Sequence, residues 1–95
     1  MKIIIQQIRL EEIYSSINDI YRTHSRKIKK VNRTKREIEF MNGDKIKFTT
    51  TESKNVDGLK SDVAIGPDAE CITLASKHEK RIWGFSDLYN YLRNL

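Results

Sequence analysis

Ninety-five residues, 38% of them apolar and 8% aromatic, suffice for one domain with a single modest core. No apolar run reaches the ~20 residues of a membrane-spanning helix, and the one cysteine, Cys71, excludes an internal disulfide and has no partners at zinc-finger spacing. The net charge of +5 is concentrated: residues 22–36 hold eight Lys and Arg and no acid, which leaves the rest of the chain at −3.

Lys2 to Gln7 opens with three consecutive isoleucines, a β-branched run that suits a buried strand. This apolar start is too short for a signal-peptide core, so the expectation is a soluble cytoplasmic protein. The period then changes. Leu10, Ile13, Tyr14, Ile17, Ile20 and Tyr21 fall on one face of a helix expected at about residues 10–23. Glu11 and Glu12 in its first turn and Arg22 and His24 at its end suit the helix dipole. In the basic stretch that follows, Ile28 and Val31 are the only apolar residues and are three apart, so they fix neither a helix nor a strand. It leaves three options: a further helical turn, a short edge strand, or a mobile connection.

Glu37 to Phe48 alternates apolar and charged residues around Asn42-Gly43, the signature of a β-hairpin. A two-residue loop would set Phe40 opposite Lys45 and mix apolar with charged side chains on each face. Only an odd-length loop brings Ile38, Phe40, Ile46 and Phe48 to one side. A three-residue loop, Met41-Asn42-Gly43, with Gly43 left-handed, places Ile38 opposite Ile46 and leaves Glu37, Glu39, Lys45 and Lys47 facing water. Thr49 to Thr51 extend the second strand, giving a hairpin over about 37–50.

Glu52 to Ser61 reads as a polar loop through Asp57-Gly58. Val63-Ala64-Ile65 is a short buried strand stopped by Gly66-Pro67. Glu70 to Ala75 is a further strand, with Cys71 a small buried side chain, and residues 77–81 a charged turn. Phe85, Leu88, Tyr89 and Leu92 return to helical spacing, so a second helix is expected at about 86–94 with Ser86 as its N-cap. The sum is one α+β domain over residues 1–95, a small, mostly antiparallel sheet built around the hairpin. If the first strand and Asp62–Ile65 run side by side in parallel, the first helix is the crossover covering them.

Motifs for phosphate-binding loops, dinucleotide folds, zinc proteases and nucleophile elbows are missing from the sequence. His24 and His78 are isolated. Asp57, Asp62, Asp68 and Glu70 cluster in sequence as a metal-dependent nuclease requires, but Glu52-Ser-Lys54 and Pro67-Asp68 match fragments of the P-D…(D/E)-x-K motif only in reversed order. A nuclease therefore ranks third among the readings, and neither metal nor cofactor is assigned. The first expectation is a non-enzymatic protein that binds nucleic acid through Arg26, Lys27, Lys29, Lys30, Arg33, Lys35 and Arg36. No aromatics interleave these residues, so phosphate contact rather than base stacking is implied. The competing account is a solvated basic face, or one paired with the acidic stretch at 52–70. The alternative function is a protein-interaction or inhibitor module, docking through a sheet edge or through Trp83, Phe85 and Tyr89 on the last helix. Those aromatics equally suit anchoring that helix, Trp83 or Ile82 acting as a staple. Pairing of exposed strands would also make a homodimer.

Ile38-Glu-Phe-Met-Asn-Gly-Asp-Lys-Ile-Lys-Phe48, the Gly58-Leu-Lys60 turn and the Asp62–Ile65 strand together resemble part of the ATPase domain of phage terminase large subunits. There, a hairpin of this form follows a strand, a helix and a basic stretch, and precedes the strand that carries the Walker B acids. This sequence lacks the phosphate-binding loop, and Gly66-Pro67 stands where the acid pair would follow, so no catalytic role carries over. The resemblance implies a phage-type accessory protein, acting in the host cytoplasm, that keeps part of the sheet without ATP hydrolysis.

Overall fold

The computed structural model describes residues 1–50, 60–67, 73–74 and 82–95. The first strand, β1 (Lys2–Gln7), runs into helix α1 (Leu10–His24), and a 3-10 turn at Ser25–Lys27 leads to strand β2 (Ile28–Asn32). Strands β3 (Glu37–Phe40) and β4 (Lys45–Thr50) form the hairpin; β5 (Lys60–Ser61), β6 (Val63–Ile65), β7 (Thr73–Leu74) and helix α2 (Phe85–Arg93) complete the order. The chain is α+β, as its periodicities predict.

Five strands share one sheet in the order β2-β3-β4-β1-β6. The β2–β3 and β3–β4 ladders are antiparallel, whereas β1 lies parallel to both β4 and β6. The three isoleucines of β1 therefore sit in the centre, and all three are buried, so the strand is covered on both faces and needs no polar alternation. Ile3 and Ile5 lie beside Ile46 and Phe48 on one flank and beside Val63 and Ile65 on the other. β5 and β7 form a separate two-stranded parallel pair.

The hairpin has the odd-length loop that its pattern demands. Ile38 faces Ile46, and Phe40 donates its N–H to the Asp44 carbonyl (2.8 Å), leaving Met41, Asn42 and Gly43 as the loop. Gly43 has φ of 94°, a conformation that costs an L-residue about 1–2 kcal/mol. Asn42 reinforces the turn by accepting the Asp44 N–H on its side-chain oxygen (3.0 Å). Asp44 itself pairs with the Met1 amino group at 2.7 Å and ties β1 to the loop. On the outer face Lys47 meets Glu37 at 3.3 Å, while Glu39 meets Lys29 of β2 at 3.9 Å rather than Lys45.

One face of this sheet carries the main core, while Ile4 and Ala64 are also fully buried on the other. Ile3, Ile5, Ile38, Phe40, Ile46, Phe48, Val63 and Ile65 form a single cluster with Ile13, Ile17 and Ile20 of α1 and Leu88 and Leu92 of α2. The apolar stripe of α1 is narrower than its sequence suggests. Leu10, Tyr14 and Tyr21 flank it and are exposed. Helix α2 begins one residue earlier than expected: Gly84, not Ser86, is the N-cap, and its N–H donates to the Asp87 carboxylate at 3.0 Å. Trp83 precedes that cap and packs against the core, as a staple residue does. Its backbone N–H also reaches the Ala64 carbonyl (3.0 Å), so the chain entering α2 runs along the β6 side of the sheet.

The Asp57-Gly58 loop, Cys71 and most of the strand expected at Glu70–Ala75, and the charged turn at 77–81 lie outside the described residues. So do His78 and three of the four acids Asp57, Asp62, Asp68 and Glu70. Asp62 accepts the backbone N–H of Lys2 (2.8 Å), a structural use of its carboxylate. Among the described residues no three His, Cys, Asp or Glu side chains gather as metal ligands, and no helix is long and apolar enough to cross a membrane.

Candidate nucleic-acid interface

Of the three options for the basic stretch, the chain takes the edge strand. Ile28 is buried opposite Phe40 and Val31 lies opposite Ile38, although three residues separate them. A β-bulge between Ile28 and Lys30 makes this possible. The extra residue shifts the alternation by one, so both apolar side chains reach the core while Lys29 and Lys30 stay in solvent. Among the described residues β2 has a neighbour on one side only. Lysines and a bulge on such an edge also discourage accidental strand pairing, so part of this charge has a purely protective use.

The seven cations of the stretch separate into three groups. Lys27 serves the fold. Its Nζ donates to the last carbonyls of α2, Leu92 O at 2.7 Å and Arg93 O at 3.0 Å, and so adds to the Asn94 and Leu95 N–H groups that close that helix terminus. Arg33 and Lys29 are weakly engaged, Arg33 with the side-chain oxygen of Asn18 on α1 (2.8 Å) and Lys29 with Glu39. Arg26, Lys30, Lys35 and Arg36 have no side-chain partner among the described residues.

Arg26 and Lys29 to Lys35 follow one rim of the molecule, from the end of α1, along β2 and into the turn before β3. Five residues of strand at about 3.3 Å each make β2 alone roughly 17 Å long. Lys30 and Lys35 also border a shallow depression of about 180 Å³ on the outer sheet face, shared with Lys45, Glu37 and Glu39. With Lys47 that face carries four lysines against two glutamates, one of which is already paired with Lys47 and the other with Lys29. Arg36 stands at the far end of the rim in a left-handed conformation (φ 55°), unusual for a residue with a side chain. It borders a second open cavity with Arg9 and Glu11.

A further basic cluster lies where α1 and α2 both end. Arg22, His24, Arg26, Lys27 and Arg93 line an open cavity of about 420 Å³. The imidazole of His24 has its pKa held below the usual 6.5, first by burial and then by the charges of Lys27 and Arg93. Arg22, at the start of the basic stretch, and Arg93 are not among the residues expected to contact phosphate, and only their meeting across 71 residues of sequence reveals them.

The C-terminal aromatics are mainly structural. Trp83, Tyr89 and Tyr91 pack against the core, and the Trp83 and Tyr91 rings stand 5.5 Å apart at 52°. Phe85 is exposed at the start of α2. Compared with family models, with curated proteins and with solved structures, the chain matches none.

Proposed function

We propose that this chain binds nucleic acid without base specificity, its β2 rim lying along the phosphate backbone. The observation that supports this reading is the edge strand itself: it holds Lys29 and Lys30 in solvent, with Arg26 before it and Arg33 and Lys35 after it. A rim of roughly 17 Å spans about five phosphates of one strand, at 3.4 Å of axial rise per nucleotide. Guanidinium and ammonium groups at that spacing release counterions on contact, which gives affinity without reading sequence. Base stacking is not suggested, because no aromatic interleaves the rim cations: Phe40 is buried, and Tyr21, exposed in the last turn of α1, precedes them. The phage-accessory setting implied by the terminase resemblance would suit such a role, since packaging brings small proteins onto DNA.

The test is titration of labelled duplex and single-stranded DNA and RNA with the wild-type protein and a variant carrying Lys29, Lys30, Arg33 and Lys35 as Ser. These four side chains do little for the fold, so circular dichroism should be unchanged. Binding at low salt that the variant loses supports the reading, and wild-type protein that binds none of the four nucleic acids at low salt sinks it.

A second reading rests on the one-sided pairing of β2. A larger protein could add an extended strand there, and the lysines select an acidic one. The same lysines work against two copies pairing through β2, since that would bring Lys29 and Lys30 of both chains together.

A further inference from the structure

The cavity at the ends of α1 and α2 has a composition that the rim does not explain. Four cations converge there from three separate elements: Arg22 from α1, Arg26 and Lys27 from the 3-10 turn, and Arg93 from α2. Among the described residues no carboxylate lines it. Asp19 meets Arg22 at 3.1 Å on the exposed flank of α1. Lys27 spends two of its three N–H donors on the α2 carbonyls, which leaves one for a ligand and removes the carbonyl charge that would repel an anion.

We propose that this cavity holds the terminal phosphate monoester of a nucleic-acid strand, bound by Arg22, Arg26, Arg93 and the remaining donor of Lys27. The identity of the ligand rests on the nucleic-acid reading above. A backbone phosphodiester carries one charge, whereas a terminal monoester carries about −1.5 to −2 at pH 7 and offers three acceptor oxygens. That dianion is what a concave site with three arginine forks suits. The cavity also adjoins the rim through Arg26, so a strand following β2 would run its end into it.

His24 reports on the site. The Thr23 hydroxyl donates its one proton to the Asp19 carbonyl (2.7 Å), so the 2.7 Å contact between Thr23 Oγ1 and His24 Nδ1 needs the imidazole N–H as donor. Nε2 is then the nitrogen that gains a proton on acidification. Burial opposes that protonation, and so do the charges of Lys27 and Arg93. A bound dianion reverses the sign of the field and raises the His24 pKa.

The experiment follows His24 by NMR across a pH series in inorganic phosphate and in chloride at equal ionic strength. Binding of oligonucleotides ending in a 5′-phosphate, a 3′-phosphate or hydroxyls only is then compared. The expected results are an upward shift of the His24 titration in phosphate, and roughly five- to tenfold tighter binding of a phosphate-ended strand. An Arg22→Gln/Arg93→Gln variant, changed at two exposed positions off the rim, loses that preference while still binding the hydroxyl-ended strand. Equal binding of all three strands, or a His24 titration identical in phosphate and chloride, overturns the pocket and leaves the rim untouched. A His24 shift in phosphate with no oligonucleotide bound at all overturns the nucleic-acid reading, and the terminal-phosphate assignment falls with it.

Discussion

Lys27 is the member of the basic stretch whose loss should cost stability. Its two hydrogen bonds to α2 are charge-assisted, a class worth about 1.5–3 kcal/mol each when well shielded. One is only part-buried and the other is exposed, so solvent screening lowers their sum to about 1.5 kcal/mol. Lys27→Met keeps the aliphatic stem and removes the donors. For a domain of this size, about 1.5 kcal/mol corresponds to a fall in melting temperature of roughly 6–12 °C. Lys30→Ser, at an exposed position without a side-chain partner among the described residues, should stay within about 0.5 kcal/mol of wild type. Lys27→Arg, which keeps donors and charge, should recover part of the loss. Urea unfolding followed by circular dichroism measures all three. If Lys27→Met and Lys30→Ser unfold at the same urea concentration, Lys27 does not cap α2 and the division of the cations into structural and free groups is wrong.

Two glycines should respond very differently to alanine. At Gly66 (φ 131°) a Cβ would come within 2.5 Å of the Gln6 carbonyl oxygen, so Gly66→Ala should cost about 3 kcal/mol or more in urea unfolding. At Gly43 a Cβ meets nothing within 4 Å, and only the left-handed backbone opposes it, at about 1–2 kcal/mol. Arg36→Gly should be neutral or up to about 1 kcal/mol stabilising, because glycine accepts φ of 55° freely, and should weaken nucleic-acid binding at the same time. A variant more stable yet weaker in binding, by melting and anisotropy together, separates function from fold at that position. Because the folded-state pKa of His24 is lowered, the unfolded chain takes up its proton first as pH falls. His24 therefore contributes stability that is present above pH 6.5 and lost as pH drops through its folded value, and His24→Gln should flatten the melting temperature over that window.

The hairpin could be read down to its register, because a period of two and a fixed set of apolar residues admit only an odd-length loop. The burial of β1 was accessible for a similar reason, since an apolar run without alternation needs cover on both faces, and its parallel pairing with Val63–Ile65 entered only as a condition for the crossover of α1. Strand β2 was not accessible. Ile28 and Val31 are three apart, and only a bulge, which leaves no mark in composition, reconciles that spacing with a strand. The charge run was plain in sequence, but its division was hidden. Lys27 finds its partners 65 and 66 residues away, and they are backbone carbonyls, which any sequence supplies. The cavity shared by Arg22 and Arg93 was hidden for the same reason, since it exists only once both helices end side by side.

The most direct test of the nucleic-acid reading is the salt dependence of duplex binding. Each phosphate neutralised contributes about −0.9 to the slope of log K against log salt. Contacts from Arg26, Lys29, Lys30, Arg33, Lys35 and Arg36 predict a slope of about −5.4, and replacing any one of Lys29, Lys30, Arg33 and Lys35 by Ser should make it shallower by about one. A slope near zero, or one that these substitutions leave unchanged, would contradict the account.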